Sequence, residues 1–70
     1  MIPLALAEIG EENKVLKIGG NPEIKRHLEN LGFVVGGNVT VITQNDGNVI
    51  VNVKDTRIAI SKEMANKILI

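Results

Sequence analysis

The stretch Leu31-Gly32-Phe33-Val34-Val35-Gly36-Gly37 constrains this chain more than any other. Gly32 directly follows the last apolar residue of a helical pattern, where a helix stop wants a residue that accepts positive φ. Gly36-Gly37 makes the next corner, and from Val39 onward apolar residues alternate with period two. A short helix that ends at a glycine and is delivered through a tight corner into strands leaves few arrangements open.

The flanks extend that pattern. The opening segment packs Leu4 and Ala7 on the core before a turn at Gly10. Asn13 to Ile18 is expected as one strand, with Leu16 and Ile18 in phase on one face and Val15 turned outward or at a bend. Gly19-Gly20 ends it. Asn21 is then a helix cap, Pro22 suits the first helical position, and Glu23 complements the positive end of the dipole. Ile24, Leu28 and Leu31 recur as one apolar stripe. A helix of about ten residues does not stand alone in water, so it must lie on a sheet.

Val39 to Thr43 is the clearest strand, with Val39 and Val41 on one face and Thr40 and Ile42 on the other. Asn45-Asp46-Gly47-Asn48 predicts a hairpin in which Asp-Gly supplies the positive φ values of a tight turn. Val49, Val51 and Val53 form the return, Lys54-Asp55-Thr56 turns again, and Arg57-Ile58-Ala59-Ile60 is a further strand. Ser61 caps a short helical turn, with Glu63 in it and Met64, Ala65 and Ile68 facing inward. Ile68-Leu69-Ile70 adds a last extended segment. The order predicts a mainly β fold with short helices. One α-helix lies between the first and second main strands and a short helix lies near the C-terminus. So few strands bury one face best by curling into a small, partly closed barrel with the helix filling the gap.

Seventy residues make one domain, 1–70. A chain of this size buries only about 60% of the surface its unfolded form exposes, so its stability is modest. It has no cysteine, which excludes disulfides and thiolate metal sites and fits a reducing cytosol. Its apolar runs are too short to span a bilayer, and Met1-Ile2-Pro3-Leu4 does not read as a signal peptide. The 8 basic and 8 acidic side chains cancel, whereas a phosphate-neutralising protein carries a basic excess. Phe33 is the single aromatic residue, so neither a base-stacking platform nor an aromatic groove for proline-rich peptides can be built.

No catalytic constellation is visible. The carboxylates, Glu8 to Glu63, fall mostly at turns and helix surfaces, and the only histidine, His27, has no serine or threonine near it in sequence. Gly19-Gly20 is followed by Asn-Pro, not by a phosphate-binding Gly-Lys-Ser/Thr run. His27 and Glu23 stand one helical turn apart, but two ligands are not a metal site. The chain is therefore expected to be no enzyme and to hold neither metal nor cofactor.

Contact surfaces remain. Lys25, Arg26, Lys14 and Lys17 make either a small basic face or an ordinary solvated exterior. Three successive apolar residues on a glycine corner cannot all point inward. Phe33, Val34 and Val35 thus either meet a partner, or Phe33 is core while the two valines cover the end of the barrel.

The residues resemble the ferrous iron transport protein A (FeoA) family, small cytosolic domains with an SH3-like barrel. The family pattern opens with Pro-Leu and a Gly-Glu turn, here Pro3-Leu4 and Gly10-Glu11. A strand, a glycine pair and a basic helix follow, matching Leu16-Lys17-Ile18, Gly19-Gly20 and Lys25-Arg26-His27-Leu28. The corner is Leu31-Gly32-Phe33-Val34-Val35-Gly36, the next strand Val39-Thr40-Val41, and the close Arg57-Ile58-Ala59-Ile60 with Ala65 to Ile68. The resemblance covers essentially the whole chain. Two departures stand out: Val35 where the family usually has proline, and Asp55 where it usually has glycine. Asp tolerates left-handed geometry, so that turn survives, whereas Val35 loosens its corner.

Membership implies a non-enzymatic accessory role in ferrous iron uptake, with the cytosolic GTPase part of a membrane iron transporter as partner. The candidate partner-binding residues, read from the apolar corner and the basic side chains, are Phe33, Val34, Val35, Lys25, Arg26 and Arg57. Nucleic acid and membrane insertion are not expected, and the oligomeric state is open. The alternative is a regulatory or dimerisation module related to the C-terminal domains of iron-dependent repressors, or a small nucleic-acid-binding barrel.

Overall fold

The helix forms as its ends dictate. In a computed structural model describing residues 1–70, α1 spans Pro22–Leu31. Asn21 is extended, and its side-chain oxygen accepts from the Ile24 N–H at 2.9 Å. At the other end Gly32 adopts φ 112°, a left-handed value that a Cβ would strain. Leu28 on the apolar stripe is fully buried, with Ile24 and Leu31 partly buried beside it.

Six strands and a second helix complete the chain: β1 (Glu12–Lys14), β2 (Lys17–Ile18), β3 (Asn38–Gln44), β4 (Asn48–Val53), β5 (Thr56–Ser61), α2 (Lys62–Ala65) and β6 (Ile68–Leu69). A 3-10 turn covers Leu4–Leu6. One antiparallel sheet has the order β1-β3-β4-β5, and β2 pairs with β6 in a second. Ile2 and Ile70 exchange backbone hydrogen bonds at 2.9 and 2.8 Å, which fastens the N-terminal segment along β6. The sheets enclose a core of Val, Ile and Leu around Phe33, and no buried side-chain nitrogen or oxygen lacks a partner.

The single strand expected over Asn13 to Ile18 is two strands, and they belong to different sheets. Val15 is the residue buried at the junction, and Leu16 is 49% exposed. Val15 donates to the Gly37 carbonyl and accepts from the Gly36 N–H, both at 2.8 Å, while the Leu16 N–H turns to the Leu69 carbonyl. The change of sheet between them breaks the period-two phase.

The two hairpins divide the turn chemistry differently from expectation. Neither Asp46 nor Gly47 has positive φ. The Asn45 side-chain oxygen instead accepts from the Gly47 and Asn48 N–H groups at 3.3 and 2.9 Å. It acts as an Asx turn that replaces left-handed backbone. The left-handed pair is Lys54-Asp55, φ 51° and 60°, joining Val53 to Thr56 as a type I′ turn does. Asp55 thus holds the geometry for which the resemblance expected glycine.

β3 carries a bulge at Ile42, where the pairing passes from Val41↔Val51 to Thr43↔Ile50. The extra residue sets Gln44 across from Val49, and its side-chain amide donates to the Ala5 carbonyl at 2.8 Å. Ser61 caps α2 as expected, accepting from Met64 at 3.1 Å, and Ala65 and Ile68 are fully buried.

Candidate contact surface

The end of α1 decides which apolar residues reach solvent. The Gly32 N–H donates to the Glu29 carbonyl at 2.9 Å, and the Phe33 N–H reaches back to the Leu28 carbonyl at 3.1 Å. These are the two bonds of a Schellman motif, which brings the residue after the glycine onto the last helical turn. Phe33 is consequently fully buried. The structure removes it from any contact surface and assigns it the core role that was the other reading of the corner.

Val34 and Val35 are 37% and 65% exposed. The Gly37 N–H donates to the Val34 carbonyl at 2.9 Å, with φ 90° at Gly36, so Val35 occupies the second position of a type II-like turn. The two bonds to Val15 hold this turn against the β1–β2 junction. The valines are therefore presented on a corner fixed from both sides, with Leu16 flanking the same junction.

The charged residues expected to join them lie elsewhere. Lys25 and Arg26 are exposed in the first half of α1, more than one helical turn before its last residue, Leu31. Arg26 lines a shallow cleft with Glu23, Ile24, His27, Asn30 and Met64, between the exposed flank of α1 and α2. No third His, Cys, Asp or Glu joins Glu23 and His27 there as a ligand cluster. Arg57 is exposed on β5, across from Asn52. The cation beside the helix end is Lys54, whose Cδ would lie 3.7 Å from a Cβ on Gly32. Leu16 and Lys54 were missed because alternation placed one in a strand interior and the other read only as turn.

A curled four-stranded sheet, a two-stranded closure and one packed helix define a small SH3-like barrel protein, here with an aliphatic corner at one end. Residues 2–70 match the FeoA domain family. A Methanocaldococcus jannaschii protein named provisionally as Fe(2+) transport protein A is 37% identical over 70 residues, covering 100% of this chain and 85% of that one. The chain belongs to the FeoA domain family.

Among solved structures, a crystal structure of an iron uptake regulatory protein, FeoA, superposes with a TM-score of 0.86 at 27% identity, covering 96% of this chain and 89% of the other. Stenotrophomonas maltophilia FeoA complexed with zinc gives 0.77 at 24% identity, over 99% and 88%. That protein is described as an SH3 domain protein and a candidate ferrous iron transport activating factor, and its likeness supports the SH3-like fold.

Proposed function

We propose that this chain is a cytosolic accessory protein of ferrous iron uptake and acts by touching the GTPase-bearing cytosolic part of a membrane iron transporter. Family membership and the relative named for Fe(2+) transport support the process. The carrying observation for the mode of action is the corner. Two exposed valines sit on a turn braced by α1 and by Val15, so they can meet a partner without ordering cost. Lys25, Arg26 and Arg57 act as peripheral cations that steer an acidic partner face, and Phe33 contributes only as a buried core residue next to the valines in the chain.

The test is titration calorimetry of the purified protein against the transporter's cytosolic domain, beside ferrous uptake in cells with and without the protein. Saturable binding with reduced uptake on deletion supports the reading. Absent binding together with unchanged uptake refutes it.

A further inference from the structure

We propose that two copies of this chain associate through β1, antiparallel and two-fold symmetric about Asn13, joining their four-stranded sheets into one. β1 is an edge: it pairs with β3 and with nothing on its other side. The bond from the Val15 N–H to the Gly37 carbonyl continues the register Glu12↔Thr40, Asn13↔Val39, Lys14↔Asn38 and so fixes its parity. By antiparallel alternation Asn13 faces β3, whereas Glu12 and Lys14 direct their N–H and C=O groups away from it. Neither residue has another backbone hydrogen bond outside the strands.

A second β1 meets those groups in one register. With Asn13 opposite Asn13 of the other copy, Glu12 stands opposite Lys14 and Lys14 opposite Glu12. The Glu12 N–H donates to the Lys14 carbonyl of the second copy, whose Lys14 N–H returns a bond to the Glu12 carbonyl. The two-fold repeats the exchange, and every free backbone group of both edges is used.

Side chains agree with this pairing. Glu12 and Lys14 are both exposed on the outer face, so each carboxylate lies directly across from an ammonium of the other copy. An edge charged with one sign blocks self-pairing, whereas opposite signs two residues apart make the edge complementary to itself. Net charge is zero, so the copies do not repel as wholes. Leu16 and Ile9 lie outside the paired residues, since Leu16 has already turned to Leu69 and Gly10 is in a turn at φ 87°.

The seam is much smaller than the ~1,000 Å² expected of a stable interface, so the dimer is a concentration-dependent one. Sedimentation velocity on the full chain, from micromolar to millimolar, reads it. The wild type shifts from monomer to dimer across that range. Lys14→Glu, which sets like charges opposite, raises the dissociation constant by about tenfold or more, and Glu12→Lys combined with Lys14→Glu restores it to within about threefold because complementarity returns. A wild type that stays monomeric at millimolar concentration, a dimer indifferent to Lys14→Glu, or a double exchange that fails to restore association each overturns the proposal. Circular dichroism melts confirm that every variant is folded.

Discussion

The Phe33 N–H donates to the Leu28 carbonyl at 3.1 Å, and both side chains are completely withdrawn from solvent. One backbone bond thus couples the stop of the helix to the direction of the residue that follows it. Gly32 makes the bond possible, Phe33 fills the core because of it, and Val34 and Val35 are what remains outside.

Replacing Gly32 with valine forces a β-branched residue to φ 112°. A Cβ itself finds room, since the nearest side-chain atoms would lie 3.7–3.9 Å from it. The loss is backbone strain of about 1–2 kcal/mol or more, read as a lowered urea midpoint with an unchanged slope. A wild-type midpoint would contradict the helix stop described.

Phe33→Ala empties the largest fully buried side chain. The expected loss is about 3–5 kcal/mol, a large share of what a domain this small can have, so partial unfolding at room temperature is the expected outcome by circular dichroism. Stability close to wild type would mean that the Phe33 side chain does not fill the core as described.

Val35→Pro should stabilise. The residue sits at the second position of a type II-like turn, which favours the φ that proline imposes, and the hydrogen bonds that tie the corner do not use its N–H. The expected gain is about 0.4–1 kcal/mol, or a few degrees in melting temperature. A lower melting temperature would show that the backbone at Val35 does not match proline.

Asn45→Ala removes the acceptor of two turn bonds. Because Gly47 does not take up positive φ, nothing else in the loop replaces it, and the hairpin should lose about 1 kcal/mol. Asp46→Ala should be nearly neutral by the same melt. Equal losses in both would restore the Asp-Gly turn as the source of the hairpin.

Much of this was legible in the residues. Asn21, Pro22 and Gly32 bound α1 at the positions observed, and the valine alternation of β3 and β4 survived because those strands lie side by side in one sheet. The failures have a common cause in long-range contacts. Val15 and Leu16 lost their phase because Gly36-Gly37 and Leu69 claim neighbouring backbone groups for different sheets. Asp-Gly was the stronger local turn signal, yet the Asn45 side chain satisfied the loop first. At the corner the residues limited Phe33 to two roles, and the capping geometry chose between them. Lys25, Arg26 and Arg57 could be named from sequence, but their separation on the surface could not, because it depends on how α1 lies against the sheet.

The exposed valines are the contact through which the proposed function would act. Titration calorimetry with the transporter's cytosolic domain, comparing wild type with the Val34→Asp and Val35→Asp double variant at matched melting temperature, tests it most directly. Affinity that falls by about tenfold or more is predicted, since two desolvated apolar contacts are replaced by charges. Undiminished binding by a folded double variant would contradict it.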